Sequence, residues 1–127
     1  MPDPEAKQRK RILVVDDEAA ILRIVGTSLR VFSYDVITSS SGEEALKLVE
    51  SEKPDIMLLD VLMPGMNGFE TLQKLRTTSQ IPIIVFSARS SSREEALRLG
   101  ANDFIAKPFT PEQMAKRISA ILQSDAQ

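Results

Sequence analysis

The feature that most constrains this chain is a run of four apolar residues, Ile56 to Leu59, that leads directly into a carboxylate, Asp60. A short apolar run of this kind is typical of a strand buried on both faces of a parallel sheet. The residues that follow include Pro64, Gly65 and Gly68, which favour a loop. We therefore expect Asp60 at the carboxyl end of a central strand, on the rim of a sheet.

Four other segments also have the pattern of strands, and all five strands alternate with segments of helical spacing. The predicted strands cover residues 11–16, 34–38, 55–60, 81–86 and 103–106. The predicted helices cover residues 18–31, 41–51, 67–76, 92–99 and 110–123. This alternation predicts an α/β domain with parallel strands, right-handed crossovers and helices on both faces of the sheet. The second strand is the least uniformly apolar, which suits a sheet edge.

The helix starts show capping patterns, in which a short polar side chain precedes Glu or Gln by three residues. The pairs are Ser41 with Glu44, Asn67 with Glu70, Ser92 with Glu95, and Thr110 with Gln113. Gly100 is suited to the position just after a helix end, where a left-handed backbone is common.

The composition excludes several kinds of chemistry. The 127 residues include no cysteine and no histidine, so disulfides, thiolate nucleophiles, Ser-His-Asp catalysis and histidine metal ligands are ruled out. The net charge of −2 gives no general attraction to nucleic acid, and no apolar run is long enough to span a membrane. We therefore expect a soluble cytoplasmic protein of one domain that contacts neither membrane nor nucleic acid directly. Its chemistry must use carboxylates, hydroxyls, Lys, Arg and the backbone.

Polar residues stand at or just after four predicted strand ends. They are Asp16, Asp17, Asp60, Ser87 and Lys107. An open α/β sheet binds its ligands at the carboxyl ends of its strands, so these residues are candidates for one site. Three carboxylates close together repel one another and raise one another's pKa unless a cation lies among them.

Five ordered motifs make the sequence similar to a known family. They are Val15-Asp16-Asp17-Glu18, Asp60-x-x-Met63-Pro64-Gly65-Met66-Asn67-Gly68, Ser87-Ala88, Gly100-Ala101-x-Asp103-Phe104 and Lys107-Pro108-Phe109. Together they resemble the receiver domain of bacterial two-component response regulators. The last strand and helix resemble the OmpR/PhoB type, notably in Lys107-Pro108-Phe109-x-Pro111-x-x-Met114-x-x-Arg117-Ile118. The resemblance covers about residues 10–123 and implies a flavodoxin-like fold of five βα units with strand order 2-1-3-4-5. Residues 1–9 are then expected to be a disordered tail, and residues 124–127 a tail or the start of a linker.

The resemblance implies that Asp60 accepts a phosphoryl group from a sensor histidine kinase. It also implies a Mg²⁺ site, in which Asp17 and Asp60 bind the ion directly, Asp16 binds it mainly through water, and the Leu62 carbonyl completes the set. Such a donor set agrees with the preference of Mg²⁺ for oxygen ligands, including one or two carboxylates.

Further roles follow from the same resemblance. Lys107 would contact the phosphoryl oxygens and pair with Asp60 when no phosphate is present, and its bond to the following proline is expected to be cis. Ser87 would donate its hydroxyl to the phosphoryl group while Phe104 turns inward behind it as a switch. Leu62 and Arg89 would flank the site and tune the phosphoryl lifetime. Because the apolar Leu62 cannot orient an attacking water, we predict slow to moderate autodephosphorylation.

The resemblance also implies a two-fold dimer through the fourth helix, fifth strand and fifth helix, with Asp103 and Arg117 pairing across it. Only eleven residues, 89–99, separate Ser87-Ala88 from Gly100-Ala101, about two fewer than the family pattern. We therefore expect a short fourth helix or a short loop before it. The resemblance also makes a DNA-binding output domain, absent from this chain, a candidate partner. The chain has no basic recognition helix, so we do not expect it to bind DNA by itself.

Three alternatives remain. A small-molecule phosphatase of the haloacid-dehalogenase type needs an acid two residues after its aspartate, where this chain has Leu62. A nucleotide or flavin binder needs a Gly-rich or Ser/Thr-rich phosphate loop, where this chain has Asp16-Asp17-Glu18. The third alternative is a receiver-like interaction module that phosphorylation does not regulate.

Overall fold

Five parallel strands form one sheet in the computed structural model, which describes residues 9–63 and 67–125. The strands are β1 (Arg11–Val15), β2 (Asp35–Ser39), β3 (Ile56–Asp60), β4 (Ile83–Ser87) and β5 (Asp103–Ala106). Their order is β2-β1-β3-β4-β5, with β2 at one edge. This confirms the predicted flavodoxin-like topology. The predicted tail, apart from Arg9, and the turn residues 64–66 lie outside the described residues.

Five helices connect and cover the strands in the described part of the chain. They are α1 (Ala19–Val31), α2 (Gly42–Glu52), α3 (Gly68–Arg76), α4 (Ser92–Arg98) and α5 (Pro111–Asp125). The helix α4 has only seven residues, as the short spacing predicted. The helix α5 continues to Asp125, so residues 124 and 125 are helical rather than part of the expected tail. No helix of residues 9–63 or 67–125 has the length and apolar character needed to cross a bilayer.

Three of the four predicted helix caps are present. Ser41, Asn67 and Thr110 each accept a hydrogen bond from the backbone N–H three residues later, at 3.1, 2.9 and 3.1 Å. At Thr110 the pair is reciprocal, because its own N–H donates to the Gln113 side chain at 2.8 Å. These bonds satisfy backbone donors that the first turn of a helix leaves without partners.

The predicted cap at Ser92 is wrong. Ser92 is the first residue of α4, and its side chain is buried in the first turn. The capping position belongs to Ser91, whose backbone is already helical and whose side chain makes no capping bond. The prediction fails because the backbone runs from Arg89 in a tight turn, with the Ser92 N–H donating to the Arg89 carbonyl at 3.0 Å.

The end of α4 follows the expectation for Gly100, which has φ +109°. The Ala101 N–H donates to the Ala96 carbonyl at 3.0 Å, and the Gly100 N–H donates to the Leu97 carbonyl at 3.2 Å. This pair of bonds is the Schellman arrangement, which needs a left-handed backbone at the glycine position.

The two faces of the sheet carry separate hydrophobic clusters. Along a strand, side chains alternate between faces, and the even-numbered apolar residues of β1, β3 and β4 pack against α1 and α5. The odd-numbered residues of the same strands pack against α2, α3 and α4. We call these the α1/α5 face and the α2–α4 face. The alternation continues past the strand ends, so it also decides on which face each polar residue lies.

Candidate functional site

Three carboxylates converge at the carboxyl end of the central strands. Asp16 and Asp17 directly follow β1, and Asp60 is the last residue of β3. Because β1 and β3 are neighbours with Val15 opposite Leu59, the acids that follow lie side by side. One oxygen from each of the three side chains lies within 4.8 Å of the others. Asp16 and Asp60 are buried and Asp17 is exposed. The predicted convergence is therefore confirmed.

Lys107 brings a positive charge into this cluster from the segment after β5. Its Nζ lies 3.2 Å from Asp16 Oδ2 and 3.6 Å from Asp60 Oδ2. The prediction named Asp60 as its partner, and the structure shows that the shorter contact, a hydrogen bond, is to Asp16. The Lys107–Pro108 peptide bond is cis, as the resemblance implied. One ammonium group thus lies beside the two buried carboxylates of the cluster.

In each of the two buried acids, Asp16 and Asp60, one carboxylate oxygen accepts a backbone N–H and the other lies near Lys107. Asp16 Oδ1 accepts the Glu18 N–H at 2.9 Å, and Asp60 Oδ1 accepts the Leu62 N–H at 3.0 Å. In both residues, Oδ2 is the oxygen nearer to Lys107. Each carboxylate is therefore oriented by the backbone of the loop that follows its own strand.

The electrostatics of the cluster disfavour ionisation of Asp60. Burial raises the pKa of Asp60, and the Asp16 and Asp17 carboxylates raise it further. The Leu62 N–H and the Lys107 ammonium oppose these effects, and the net direction is upward. Another cation in the cluster would favour the charged form of Asp60.

The donor set fits a hard divalent cation. All three groups offer carboxylate oxygens, which Mg²⁺ prefers, and Lys107 neutralises only one of the three charges. Asp16, Asp17 and Asp60 are the residues that would hold such an ion. Leu62 contacts Asp60 through its N–H, and the ligand role of its carbonyl oxygen stays a prediction.

The start of α3 presses against the backbone of Asp60. A Cβ atom at Gly68 would lie 2.3 Å from Val61 Cα and 2.4 Å from the Asp60 carbonyl oxygen, distances that no side chain tolerates. The Gly68 N–H donates to the Val61 carbonyl at 3.3 Å. The glycine in the Asp60 motif is therefore needed for close approach of the helix to the site.

Ser87 and Phe104 lie together on the α2–α4 face. Ser87 is the last residue of β4 and is fully buried, and its Oγ accepts the Arg89 N–H at 3.1 Å. In the register of β4 and β5, Val85 is opposite Phe104, so Ser87, two residues after Val85, shares its face. Phe104 is buried in that cluster. The side chains of Leu62 and Arg89 are exposed at the rim, as expected for flanking residues.

Asp103 and Arg117 pair within one chain, and their predicted pairing across a dimer stays a prediction. Arg117 Nη1 lies 2.8 and 2.9 Å from the two oxygens of Asp103, and it also donates to the Phe104 carbonyl at 3.3 Å. The contact forms because β5 and the second turn of α5 are adjacent in the fold. Each charge therefore already has a partner in the monomer.

Sequence reasoning missed one aromatic residue at the site. Phe86 is fully buried, and its ring centroid lies 5.0 Å from Lys107 Nζ. The signal was available, because alternation along β4 puts Phe86 on the same face as the strand-end acids. The apolar residue in a strand was interpreted only as core.

The family model of the response regulator receiver domain matches residues 12–119. The chain belongs to this family. Receiver domains are signalling regulators, and the fold, the acids and Lys107 of this receiver domain lie as the family resemblance implied. The alternative of a receiver-like interaction module that phosphorylation does not regulate is not favoured.

Relatives and solved structures agree with this assignment. The chain is 45% identical over 118 residues to a probable transcriptional regulator, ycf27, of Porphyridium aerugineum, covering 91% of this chain and 49% of that protein. It is 44% identical over 117 residues to the alkaline phosphatase synthesis transcriptional regulatory protein PhoP of Bacillus subtilis, covering 90% and 49%. This receiver domain thus spans about half the length of these relatives.

Among solved structures, the BeF3-activated N-terminal receiver domain of Klebsiella pneumoniae RstA matches with a TM-score of 0.84 at 28% identity, covering 89% of this chain and 98% of that chain. The chemotaxis protein CheY4 of Vibrio cholerae matches with a TM-score of 0.82 at 32% identity, covering 88% and 98%. Both structural matches extend over nearly the whole of the compared domain.

Proposed function

We propose that this receiver domain accepts a phosphoryl group on Asp60 from a phosphohistidine of a sensor histidine kinase. The observation that supports this most is the set of three acids within 4.8 Å of one another beside the Lys107 ammonium. In the reaction, a carboxylate oxygen of Asp60 forms a bond to phosphorus while the bond from phosphorus to the histidine nitrogen breaks. These 127 residues include no histidine, so the phosphohistidine donor lies outside them.

The neighbours of Asp60 have separate roles in this step. The Leu62 N–H holds one carboxylate oxygen in place, and Lys107 attracts the negatively charged phosphoryl oxygens. The Ser87 hydroxyl accepts the Arg89 N–H and keeps its own proton for a phosphoryl oxygen. Mg²⁺ held by Asp16, Asp17 and Asp60 would neutralise the charge of the acids and of the incoming group.

The phosphoryl group would then bias a switch on the α2–α4 face. It adds close to two negative charges beside Ser87, which shares its face with the buried ring of Phe104. A shift of Ser87 towards the phosphoryl group changes the packing behind it and, through Phe104, the position of α4. We therefore propose that the surface formed by α4, β5 and α5 transmits this change to the downstream partner.

The decisive experiment is incubation with Mg²⁺ and acetyl phosphate, read by intact mass. We expect a single phosphoryl adduct that requires the divalent ion and is absent from Asp60→Asn. Asp55→Asn is a matched control, because Asp55 lies at the opposite end of β3 and accepts the Arg11 N–H there. A folded wild-type domain without any adduct would favour the alternative of an interaction module that phosphorylation does not regulate.

We propose self-phosphorylation and slow autodephosphorylation as the only chemistry of this domain. The Leu62 side chain is 40% exposed beside Asp60 and has no polar atom to orient a water. The adduct is therefore expected to last for minutes or longer, measured as loss of phosphoryl mass after desalting. Complete loss within seconds would contradict this, and Leu62→Asn should shorten the lifetime.

Two partners beyond the kinase are also proposals. The names of the relatives and their double length support a DNA-binding output domain in the whole protein. A two-fold dimer through α4, β5 and α5 is supported only by the OmpR/PhoB resemblance, since Asp103 and Arg117 already pair in the monomer. Sedimentation velocity with and without beryllofluoride tests the dimer, and a monomer in both conditions up to high concentration would exclude it.

A further inference from the structure

Among the described residues, an aromatic ring lies near the Lys107 ammonium in addition to two acids. Its Nζ lies 3.2 Å from Asp16, 3.6 Å from Asp60 and 5.0 Å from the centroid of the Phe86 ring. An ammonium within about 6 Å of an aromatic face is attracted by the negative charge of that face, more strongly when water is excluded. The Lys107 side chain is only 19% exposed, so this condition is met.

The position of the Phe86 ring is determined by the sheet and by a second aromatic residue. Phe86 is opposite Asp60 in the register of β3 and β4, and opposite Ile105 in the register of β4 and β5. Lys107 follows Ile105 by two residues and so lies on the same face. The ring of Phe109 meets that of Phe86 edge to face, with centroids 5.9 Å apart at 78°. The ring is thus held from behind in a favoured aromatic geometry.

We propose that Phe86, supported by Phe109, is a positioning residue that fixes the Lys107 ammonium over the phosphorylation site. The proposal rests on the function proposed above for Asp60. The two carboxylates that hold Lys107 are the groups that change in the reaction, because Asp60 gains a phosphoryl group and both acids would share a metal ion. The Phe86 ring takes part in neither change, so its electron-rich face stays beside Lys107 in our proposal. It therefore keeps the ammonium near the phosphoryl oxygens while its other contacts exchange.

The sharpest test lowers the electron density on the face of the Phe86 ring and leaves the shape of the ring nearly unchanged. Singly, doubly and triply fluorinated phenylalanine, placed only at position 86, withdraws electrons from the ring face in steps. The rate of phosphorylation by acetyl phosphate should fall in the same order, by about three-fold to ten-fold overall. The proposal would be overturned if the phosphorylation rate is unchanged across the series while the melting temperature of each protein equals that of the wild type.

Ordinary variants separate positioning from packing. Phe86→Leu should slow phosphorylation by a similar factor, Phe86→Tyr should restore most of the rate, and Phe86→Leu should have no further effect in a Lys107→Ala background. Ile84 lies two residues earlier on the same face and in the same cluster. If Ile84→Val slows the reaction as much as Phe86→Leu, the rate follows core packing and the proposal is wrong.

A spectroscopic measurement tests the contact without phosphorylation. Protons over an aromatic face are shifted upfield, so the Lys107 Hε signals of the wild-type domain should be upfield of ordinary lysine values. The shift should vanish in Phe86→Leu and remain in Phe86→Tyr. Its absence in the wild type would overturn the proposal. Its presence in a domain that accepts no phosphoryl group would support the aromatic contact and refute the proposed function alone.

Discussion

The two faces of the sheet share one edge and hold their polar groups in different ways. On the α1/α5 face, Lys107 is held by two buried carboxylates and an aromatic ring. On the α2–α4 face, the Ser87 hydroxyl accepts only the Arg89 N–H among the described residues, and α4, the next helix along the chain, is short. In the function proposed above, the α1/α5 face therefore holds the charged contacts of the reacting groups, and the α2–α4 face carries the proposed switch.

The helix α4 is the shortest helix in the described part of the chain. It has seven residues and, like α1, no side-chain cap at its start. Short helices depend on tertiary packing because their nucleation is unfavourable. By contrast, α1 and α5 on the other face have 13 and 15 residues. Its length makes α4 the helix that the proposed switch is expected to move.

The largest expected effect tests whether the α2–α4 face is nevertheless well packed. Phe104→Ala removes a ring that is 3% exposed, which should lower the free energy of unfolding by about 3–5 kcal/mol. Urea denaturation measures this change. Phe32→Ala is the control, because Phe32 is 42% exposed and should cost little. A loss below about 1 kcal/mol for Phe104→Ala would mean that the core does not hold this ring.

The next effect compares the phosphoryl contacts of the two faces. Lys107→Ala removes the charged contact on the α1/α5 face and should slow phosphorylation by about 100-fold. Ser87→Ala removes one neutral hydroxyl on the α2–α4 face and should slow phosphorylation by only about five-fold. Initial rates of adduct formation with acetyl phosphate measure both. Equal losses in the two variants would contradict the division between the faces.

A smaller effect uses a glycine on each face. Gly68→Ala forces a Cβ against the backbone of Val61 and Asp60, which should cost about 1–3 kcal/mol of folding stability. Gly26→Ala in α1 meets only ordinary contacts, the nearest at 3.5 Å, and should stabilise the domain by about 0.5–1 kcal/mol. Thermal and urea unfolding measure both changes. A stabilising Gly68→Ala would show that α3 does not press on the site.

The last prediction concerns pH. Because its folded pKa is raised, Asp60 favours folding at pH values below its ordinary pKa, and this contribution is lost as the pH rises through the raised pKa. At neutral pH, the metal-free Asp60→Asn domain should therefore melt at a higher temperature than the wild type. The difference should shrink towards about pH 4, and it should also shrink when Mg²⁺ is added. Calorimetry with EDTA or Mg²⁺ measures it, and a less stable Asp60→Asn domain at neutral pH would contradict the prediction.

Much of the fold and site was predictable because strand ends and spacings are local properties. Apolar runs ending in Asp16, Asp60 and Ser87 placed these residues at one rim, and the structure confirms it. The cap at Ser92 was not predictable, since Ser91 and Ser92 offer the same chemistry and the turn from Arg89 decides which residue begins the helix. The Lys107 contact with Asp16 was also missed, because it joins residues 91 positions apart.

The sequence by itself determined the order of strands and helices along the chain, the chemical groups available and the face of the sheet on which each strand residue lies. These depend on periodicity and composition, which each segment expresses without its neighbours. Only the tertiary structure decided which groups meet: Lys107 with Asp16 and Phe86, and Arg117 with Asp103 in the same chain. The physical reason is that distances of a few ångströms between separate elements depend on strand register and helix packing, which are properties of the whole domain.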